Sequence, residues 1–379
     1  MGSSQISNSA GEDLKPDAAP AEVWAGRTTF RARRWLRGGH VQTIASFLLP
    51  RRIHLPPAEE RLVEVEAGVV GKAIVDKTIV DKAIIDKAIK DVTIQLRCLC
   101  YWQPERTQPL TLIVVHGLEG SSDSQYMQGI ARDGIAAGMN VVLMNQRNCG
   151  GMDHVAPTLY NSSLSGDVAA VVRNVLENDK VSRFALIGFS MGGNLVLKLA
   201  GEWGGDGPRQ FRAVAAVCPA IDLAASADAL HRPANRIYEY YFLLQLFRRL
   251  RLKARLFPKK FDVARLRGIS SLRMFDDRIT AHYCGFAGAD DYYARAAAAN
   301  VVDRIAVPTL IIHAANDPFI RITPETLRRI VANPNITYVE TEDGGHCAFL
   351  GASDGEGNGR AAHDGRWAER EVLEFVAAQ

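Results

Sequence analysis

The sequence predicts an α/β protein: a mostly parallel central sheet with helices on both faces. Three observations carry that prediction. Largely apolar runs recur at Leu110–Val115, Asn140–Met144, Phe184–Phe189, Ala213–Val217 and Pro308–His313, as in strands buried on both faces. Segments of helical periodicity separate them, so strands and helices alternate. One strand also runs through a glycine-flanked serine directly into a helix.

Taken in order, residues 1–22 are rich in Ser, Ala, Pro, Gly and Asp and are expected to be a disordered tail. A core is expected over 23–221 and 287–379. It starts with a basic stretch, Arg31–Arg37, and Gly39-His40-Val41-Gln42-Thr43. Residues 72–91 repeat as KAIVD, KTIVD, KAIID, KAIKD. A period of five gives no single apolar face on a helix or a strand, so the repeat reads as a surface-loop insertion. Val92–Trp102 alternates and predicts a strand. The apolar runs above supply five more, and Ile336–Glu340 another. Ser165–Asn178 carries Val168, Val171, Val172 and Val175 on one helical face. Met191–Trp203, Glu325–Val331 and Arg366–Ala377 are the other helices. The segment 222–286 breaks the alternation: it is helical and aromatic, with thirteen Lys+Arg against four Asp+Glu from His231 to Arg278. It reads as a helical lid inserted between two strands.

Composition narrows the function. The 379 residues carry a net charge of +3, with 47% hydrophobic and 23% charged residues, which excludes a disordered chain or a fibre. The longest uncharged stretch, Phe184–Leu197, is interrupted by three glycines and is fourteen residues long. A membrane span needs ~20. The N-terminus lacks the basic start and apolar run of a signal peptide. Six cysteines form no CxxC pair and read as reduced thiols in a cytoplasmic protein. No HExxH, Walker loop or GxGxxG turn is present, so neither metal nor nucleotide cofactor is expected. His40, His154, His231, His282 and His313 show no metal-ligand spacing. A whole-chain charge of +3 without a recognition motif argues against nucleic acid.

The chemistry centres on Gly188-Phe189-Ser190-Met191-Gly192. A strand before and a helix after this pentapeptide make it a nucleophile elbow, which lifts Ser190 above the sheet at a helix N-terminus. A serine hydroxyl needs a base. His346, in Asp343-Gly344-Gly345-His346, lies after the last expected strand, where that base belongs. Asp317 follows the Pro308–His313 strand and is the expected acid; Asp222, after Ala213–Val217, is the alternative. His116-Gly117-Leu118-Glu119-Gly120 follows an earlier strand. The backbone N–H groups of Leu118 and Met191 are the expected oxyanion donors, with His116 a structural hydrogen-bonder.

Together these segments resemble one group of α/β-hydrolases: the YheT-type hydrolases, with the eukaryotic ABHD1/ABHD3-like enzymes and yeast medium-chain ethyl-ester synthases. The resemblance runs from about Trp35 to the end, excluding the repeat. Its marks are the Gly39–Thr43 and His116–Gly120 segments, Asn145-Gln146-Arg147-Asn148-Cys149-Gly150, Gly188–Asn194, Asp317-Pro318-Phe319 and Gly344-Gly345-His346. It implies the α/β-hydrolase fold and a Ser190–His346–Asp317 triad. The chain departs from the pattern at Asn148, where Gly is usual, and at Cys347-Ala348, where Val-Gly is usual. Cys347 beside the base is expected simply to pack; the alternative is that it makes activity sensitive to thiol reagents.

The implied function is a serine carboxylic-ester hydrolase acting on short- to medium-chain acyl esters. Alcohol acyltransferase, phospholipase and acylglycerol lipase chemistry would use the same triad. A non-catalytic scaffold is the alternative of another class, and three intact triad positions argue against it. The partner is a small-molecule acyl ester. The basic 222–286 block allows peripheral contact with anionic membranes, weighed against a solvated charged face.

Overall fold

The computed structural model describes residues 30–66, 94–351 and 364–379. The expected tail and the pentad repeat lie outside these residues. The described chain builds an eight-stranded sheet: β1 (Glu59–Val65), β2 (Ile94–Tyr101), β3 (Thr111–Val115), β4 (Asn140–Met144), β5 (Phe184–Phe189), β6 (Phe211–Val217), β7 (Thr309–Ala314) and β8 (Ile336–Thr341). The spatial order is β1-β2-β4-β3-β5-β6-β7-β8. β1 and β2 pair antiparallel, as do β2 and β4, and every pair from β4 to β8 is parallel.

Each residue of β3, β4, β5 and β7 is buried, because helices cover both faces. On one face α2 (Gln125–Ala136) and α9 (Trp367–Ala377) pack Met127, Ile130, Val372 and Phe375 against Leu112, Val114 and Ile187. On the other, α3 (Ser165–Asp179) and α4 (Met191–Trp203) pack Val168, Val172, Val196 and Leu199 against Ile113, Val115 and Leu186.

The chain passes from β3 outward to β4 and then returns to place β5 on the other side of β3. That reversal opens a crevice at the carboxyl ends of β3 and β5, where open α/β sheets bind ligands. Between β6 and β7 lie α5 (Leu223–Leu230), α6 (Arg236–Leu256), short helical turns over 272–284 and α7 (Ala289–Ala296). The helical region thus runs beyond 286. Its own apolar cluster joins Leu243, Leu246 and Leu250 of α6 to Phe261, Phe275 and Ile279, and Leu118 packs against it. After β7 comes α8 (Pro324–Ala332), and α1 (Gly39–Leu48) precedes the sheet. No helix among the described residues is long and apolar enough to cross a membrane.

Candidate active site

Ser190 sits at the β5–α4 junction with φ 53° and ψ −119°, a strained backbone for a side-chain-bearing residue. The tight turn also requires glycine two residues to either side, at 188 and 192. A Cβ on Gly188 would lie 2.3 Å from the Gly192 carbonyl oxygen, and one on Gly192 would lie 2.2 Å from the Val115 carbonyl oxygen. The strain is held by backbone bonds from Ser190 N–H to the Val217 carbonyl (2.9 Å) and from Ala220 N–H to the Ser190 carbonyl (3.1 Å).

The three predicted side chains meet. Ser190 Oγ donates to His346 Nε2 at 3.0 Å, and His346 Nδ1 donates to Asp317 Oδ2 at 2.8 Å. Asp317 is 1% exposed. Its second oxygen accepts from Phe319 N–H (3.0 Å) and Ile320 N–H (2.9 Å). Burial pushes its pKa up, but His346 and the Ile320 amide outweigh that and hold it below the ordinary carboxylate value. Burial favours the neutral imidazole of His346, but Cys347, Asp317 and hydrogen bonds to both outweigh it and raise its pKa above the ordinary value. Asp222, the alternative acid, is elsewhere: its carboxylate accepts from Thr323 N–H (2.7 Å) and Thr326 Oγ1 (2.8 Å) at the start of α8.

The loop carrying His346 is clamped by α1. Thr43 Oγ1 accepts the His346 N–H at 2.8 Å. Fully buried Gln42 donates to the Leu36 carbonyl (2.8 Å) and the Leu350 carbonyl (3.2 Å), and its Oε1 accepts from Leu350 N–H (2.7 Å). A Cβ on Gly39 would lie 1.8 Å from the Asn316 carbonyl oxygen. The Gly39–Thr43 segment, legible only as a family mark, is therefore the splint behind His346.

The turn after β3 pairs the amides on either side of Leu118. Gly117 N–H donates to Tyr126 Oη (3.0 Å), Glu119 N–H to Tyr160 Oη (2.8 Å) and Gly120 N–H to the Gly117 carbonyl (3.1 Å). Among the described residues the Leu118 N–H makes no such bond. Met191 heads α4, where a helix has no internal acceptor for its N–H. Tyr126 and Tyr160 carry no sequence signal for this role. His116 is fully buried, with Nδ1 donating to the Gly117 carbonyl (2.7 Å) and Nε2 accepting Gln146 N–H (3.1 Å). Burial pushes its pKa down to about 4. It is a neutral brace beneath the turn.

Asn148 adopts φ 61°, a left-handed conformation that Asn tolerates better than most residues, so it can stand where Gly is usual. Its side chain also accepts from Lys253 Nζ (2.9 Å) and donates to the Thr158 carbonyl (2.5 Å). Lys253 is fully buried, and Arg249 binds both Glu119 oxygens at 2.8 and 3.0 Å. Two cations of the basic block thus face inward: Arg249 fastens α6 to the β3 turn, and Lys253 fastens it to the loop after β4. The solvated-face reading of the block does not apply to them.

A cavity of about 110 Å³ opens beside Ser190, lined by Leu118, Leu159, Leu223, Leu246, Phe275 and Phe319 among others. Among the described residues, two groups bring three metal-capable donors within 4.8 Å of one another: Cys218/His346/Cys347 and Cys218/His313/Asp317. Both draw on the His346–Asp317 pair, whose facing atoms already bond each other.

A family model for the alpha/beta hydrolase fold matches residues 111–353. The chain belongs to the α/β-hydrolase family. It is 32% identical over 271 residues to the "Putative esterase YheT" of Escherichia coli K12, covering 70% of this chain and 76% of that protein. It is 29% identical over 251 residues to "Phospholipase ABHD3" of Mus musculus, covering 66% and 60%. The "Medium-chain fatty acid ethyl ester synthase/esterase 2" of Saccharomyces cerevisiae is 25% identical over 290 residues, covering 70% and 61%. The chain therefore spans about 60% of the length of these two eukaryotic relatives. The crystal structure of 2,6-dihydroxy-pseudo-oxynicotine hydrolase aligns with a TM-score of 0.50 at 16% identity, over 89% of this chain and 72% of that one, a likeness of fold alone.

Proposed function

We propose that the protein is a serine carboxylic-ester hydrolase acting on short- to medium-chain acyl esters. The observation that supports this most is the continuous hydrogen-bond chain from Ser190 through His346 to buried Asp317 at the edge of an apolar cavity. Ser190 Oγ attacks the ester carbonyl while His346 Nε2 takes its proton. Asp317 holds the imidazole in the required tautomer and stabilises the imidazolium. The N–H groups of Leu118 and Met191 receive the oxyanion. His346 then protonates the departing alcohol and activates water to release the acid. The apolar cavity lining takes the acyl chain, and the helical block over 222–286 covers it as a lid.

The acyl-enzyme can also pass to an alcohol, so transfer stays inside the same reading. Hydrolysis of p-nitrophenyl esters from acetyl to palmitoyl, with Ser190→Ala alongside, tests it. Activity peaking at one chain length and absent from the variant supports it; equal activity in both proteins refutes it. Repeating the assay with an added alcohol separates transfer from hydrolysis. The cytoplasmic setting rests on six cysteines that are all free thiols in the structure.

A second reading concerns where the enzyme meets lipid, and a surface formed by α1 and the start of α6 favours it. Val41, Ile44, Phe47 and Leu48 of α1 are exposed, as are Ile237, Tyr240 and Tyr241 of α6. A Phe47–Tyr241 ring contact at 5.8 Å joins the two helices. Arg31, Arg34, Arg37 and Arg52 nearby are exposed, and residues 31–52 hold no acid. This surface suits an anionic lipid interface. Co-sedimentation with anionic but not neutral vesicles, weakened by Phe47→Asp, is the expected result; no sedimentation with either rejects it.

A further inference from the structure

We infer that Cys347 is an oxidation site for small peroxides, with Cys218 as its resolving partner, and that its oxidation switches the hydrolase off. The switching part rests on the Ser190–His346 reading above; the thiol chemistry does not.

The geometry makes Cys347 a second nucleophile on the same base. Its Sγ lies 3.9 Å from His346 Nε2, the atom that also receives Ser190 Oγ at 3.0 Å. Cys218 Sγ accepts the Cys347 N–H at 3.4 Å. Cys218 Sγ, Cys347 Sγ and a ring nitrogen of His346 all lie within 4.8 Å of one another. A disulfide needs about 2.05 Å between sulfurs, so the two must close by less than about 3 Å. Cys347 is partly exposed and Cys218 is buried behind it, the arrangement of an attacking thiol and a resolving one.

The setting also separates Cys347 from the other thiols. Burial pushes Cys100, Cys149 and Cys284 up to about 12, and Cys98 further. Burial acts on Cys347 too, but its contacts with Cys218 and His346 outweigh it and hold the thiol below its ordinary value. The thiolate is the reactive form.

The chemistry balances with peroxide as the oxidant. His346 takes the Cys347 proton, and the thiolate sulfur attacks a peroxide oxygen. The O–O bond breaks, leaving a sulfenic acid and hydroxide, which becomes water. Cys218 sulfur then attacks Cys347 sulfur. The S–S bond forms, the S–O bond breaks, and the leaving hydroxide takes the Cys218 proton as a second water. Two thiols lose two electrons and hydrogen peroxide gains them. The intermediate sulfenic oxygen sits between Cys347 Sγ and His346 Nε2, where it competes with Ser190 Oγ for the base.

The test treats the full chain with hydrogen peroxide, maps cysteines by mass spectrometry with and without dimedone, and follows p-nitrophenyl ester hydrolysis in parallel. The expected map shows dimedone on Cys347 first, then a cross-linked peptide pair carrying Cys218 and Cys347. Activity should be lost in step and return with dithiothreitol. Cys347→Ala and Cys347→Ser, the second guarding against a packing defect, should hydrolyse ester and resist peroxide. In Cys218→Ala the chemistry should stop at the dimedone-reactive sulfenic acid. Labelling of Cys347 no faster than of Cys284, or equal peroxide inactivation in both Cys347 variants, would overturn the inference. If Ser190→Ala still hydrolyses ester, the functional reading falls while the cysteine map continues to test the thiol pair.

Discussion

Replacing Gln42 with leucine should show how much the α1 splint contributes. The side chain is fully buried and makes three hydrogen bonds across two segments, to Leu36 and to both backbone groups of Leu350. Leucine fills similar volume but pairs with none of them. The Leu350 carbonyl keeps Arg33 N–H at 3.2 Å. Two groups are left orphaned, the Leu36 carbonyl and the Leu350 N–H. Each buried orphan costs about 1–3 kcal/mol, so Gln42→Leu should lose roughly 3 kcal/mol. Urea denaturation reads this as a lower midpoint with an unchanged slope. Thr43, one residue on, holds the His346 N–H. Ester hydrolysis by the folded variant should therefore show a lower kcat with KM little changed. A stability within about 0.5 kcal/mol of the parent, the range of an ordinary surface change, would refute the splint. So would a rise in KM with kcat intact.

Three further outcomes follow from the geometry. Burial raises the Asp276 pKa from its ordinary 3.8 to about 6, against hydrogen bonds from Thr280 and Tyr293 and the charge of Arg273. A raised folded-state pKa gives stability that is full below pH ~4 and lost as pH rises through ~6, worth roughly 3 kcal/mol. Urea midpoints should therefore fall between pH 4 and 7 in the parent more than in Asp276→Asn. Arg249→Met would strand Glu119, which is 9% exposed at its side chain, and should cost about 3 kcal/mol in the same denaturation assay. Gly192→Ala would drive a Cβ into the β3 backbone and should abolish folded, soluble protein on size-exclusion chromatography.

The sequence was most informative where one physical requirement dominates. β4, β5 and α4 fall where the apolar runs and the elbow place them, because doubly buried strands tolerate no polar interruption and the turn tolerates only glycine at 188 and 192. Elements with mixed requirements were hidden. In α1 the apolar residues Val41, Ile44 and Phe47 face out while Gln42 is buried, which inverts the usual pattern. β1 reads as a charged segment, Glu-Glu-Arg-Leu-Val-Glu-Val, because it is an edge strand whose Arg61 pairs with Asp179. α2 holds two glycines, and one of them, Gly134, packs against Leu112 and Val141. At the site, the Ser190, Asp317 and His346 positions followed from chain order. The roles of Gln42, Thr43 and Tyr160 depend on contacts between residues far apart in the chain, and that of Tyr126 on a turn packed back onto a strand end, none of which periodicity encodes. Asn148 was visible only as a departure, and its positive φ and its bond to Lys253 supply the reason.

The most direct test of the account is covalent labelling by a fluorophosphonate, with the adduct mapped by mass spectrometry in the parent chain, Ser190→Ala and His346→Ala. The account predicts one phosphonyl adduct on Ser190, absent from the first variant and strongly slowed in the second, where the serine loses its base. An adduct on another residue, or labelling of Ser190 at the parent rate without His346, would contradict it.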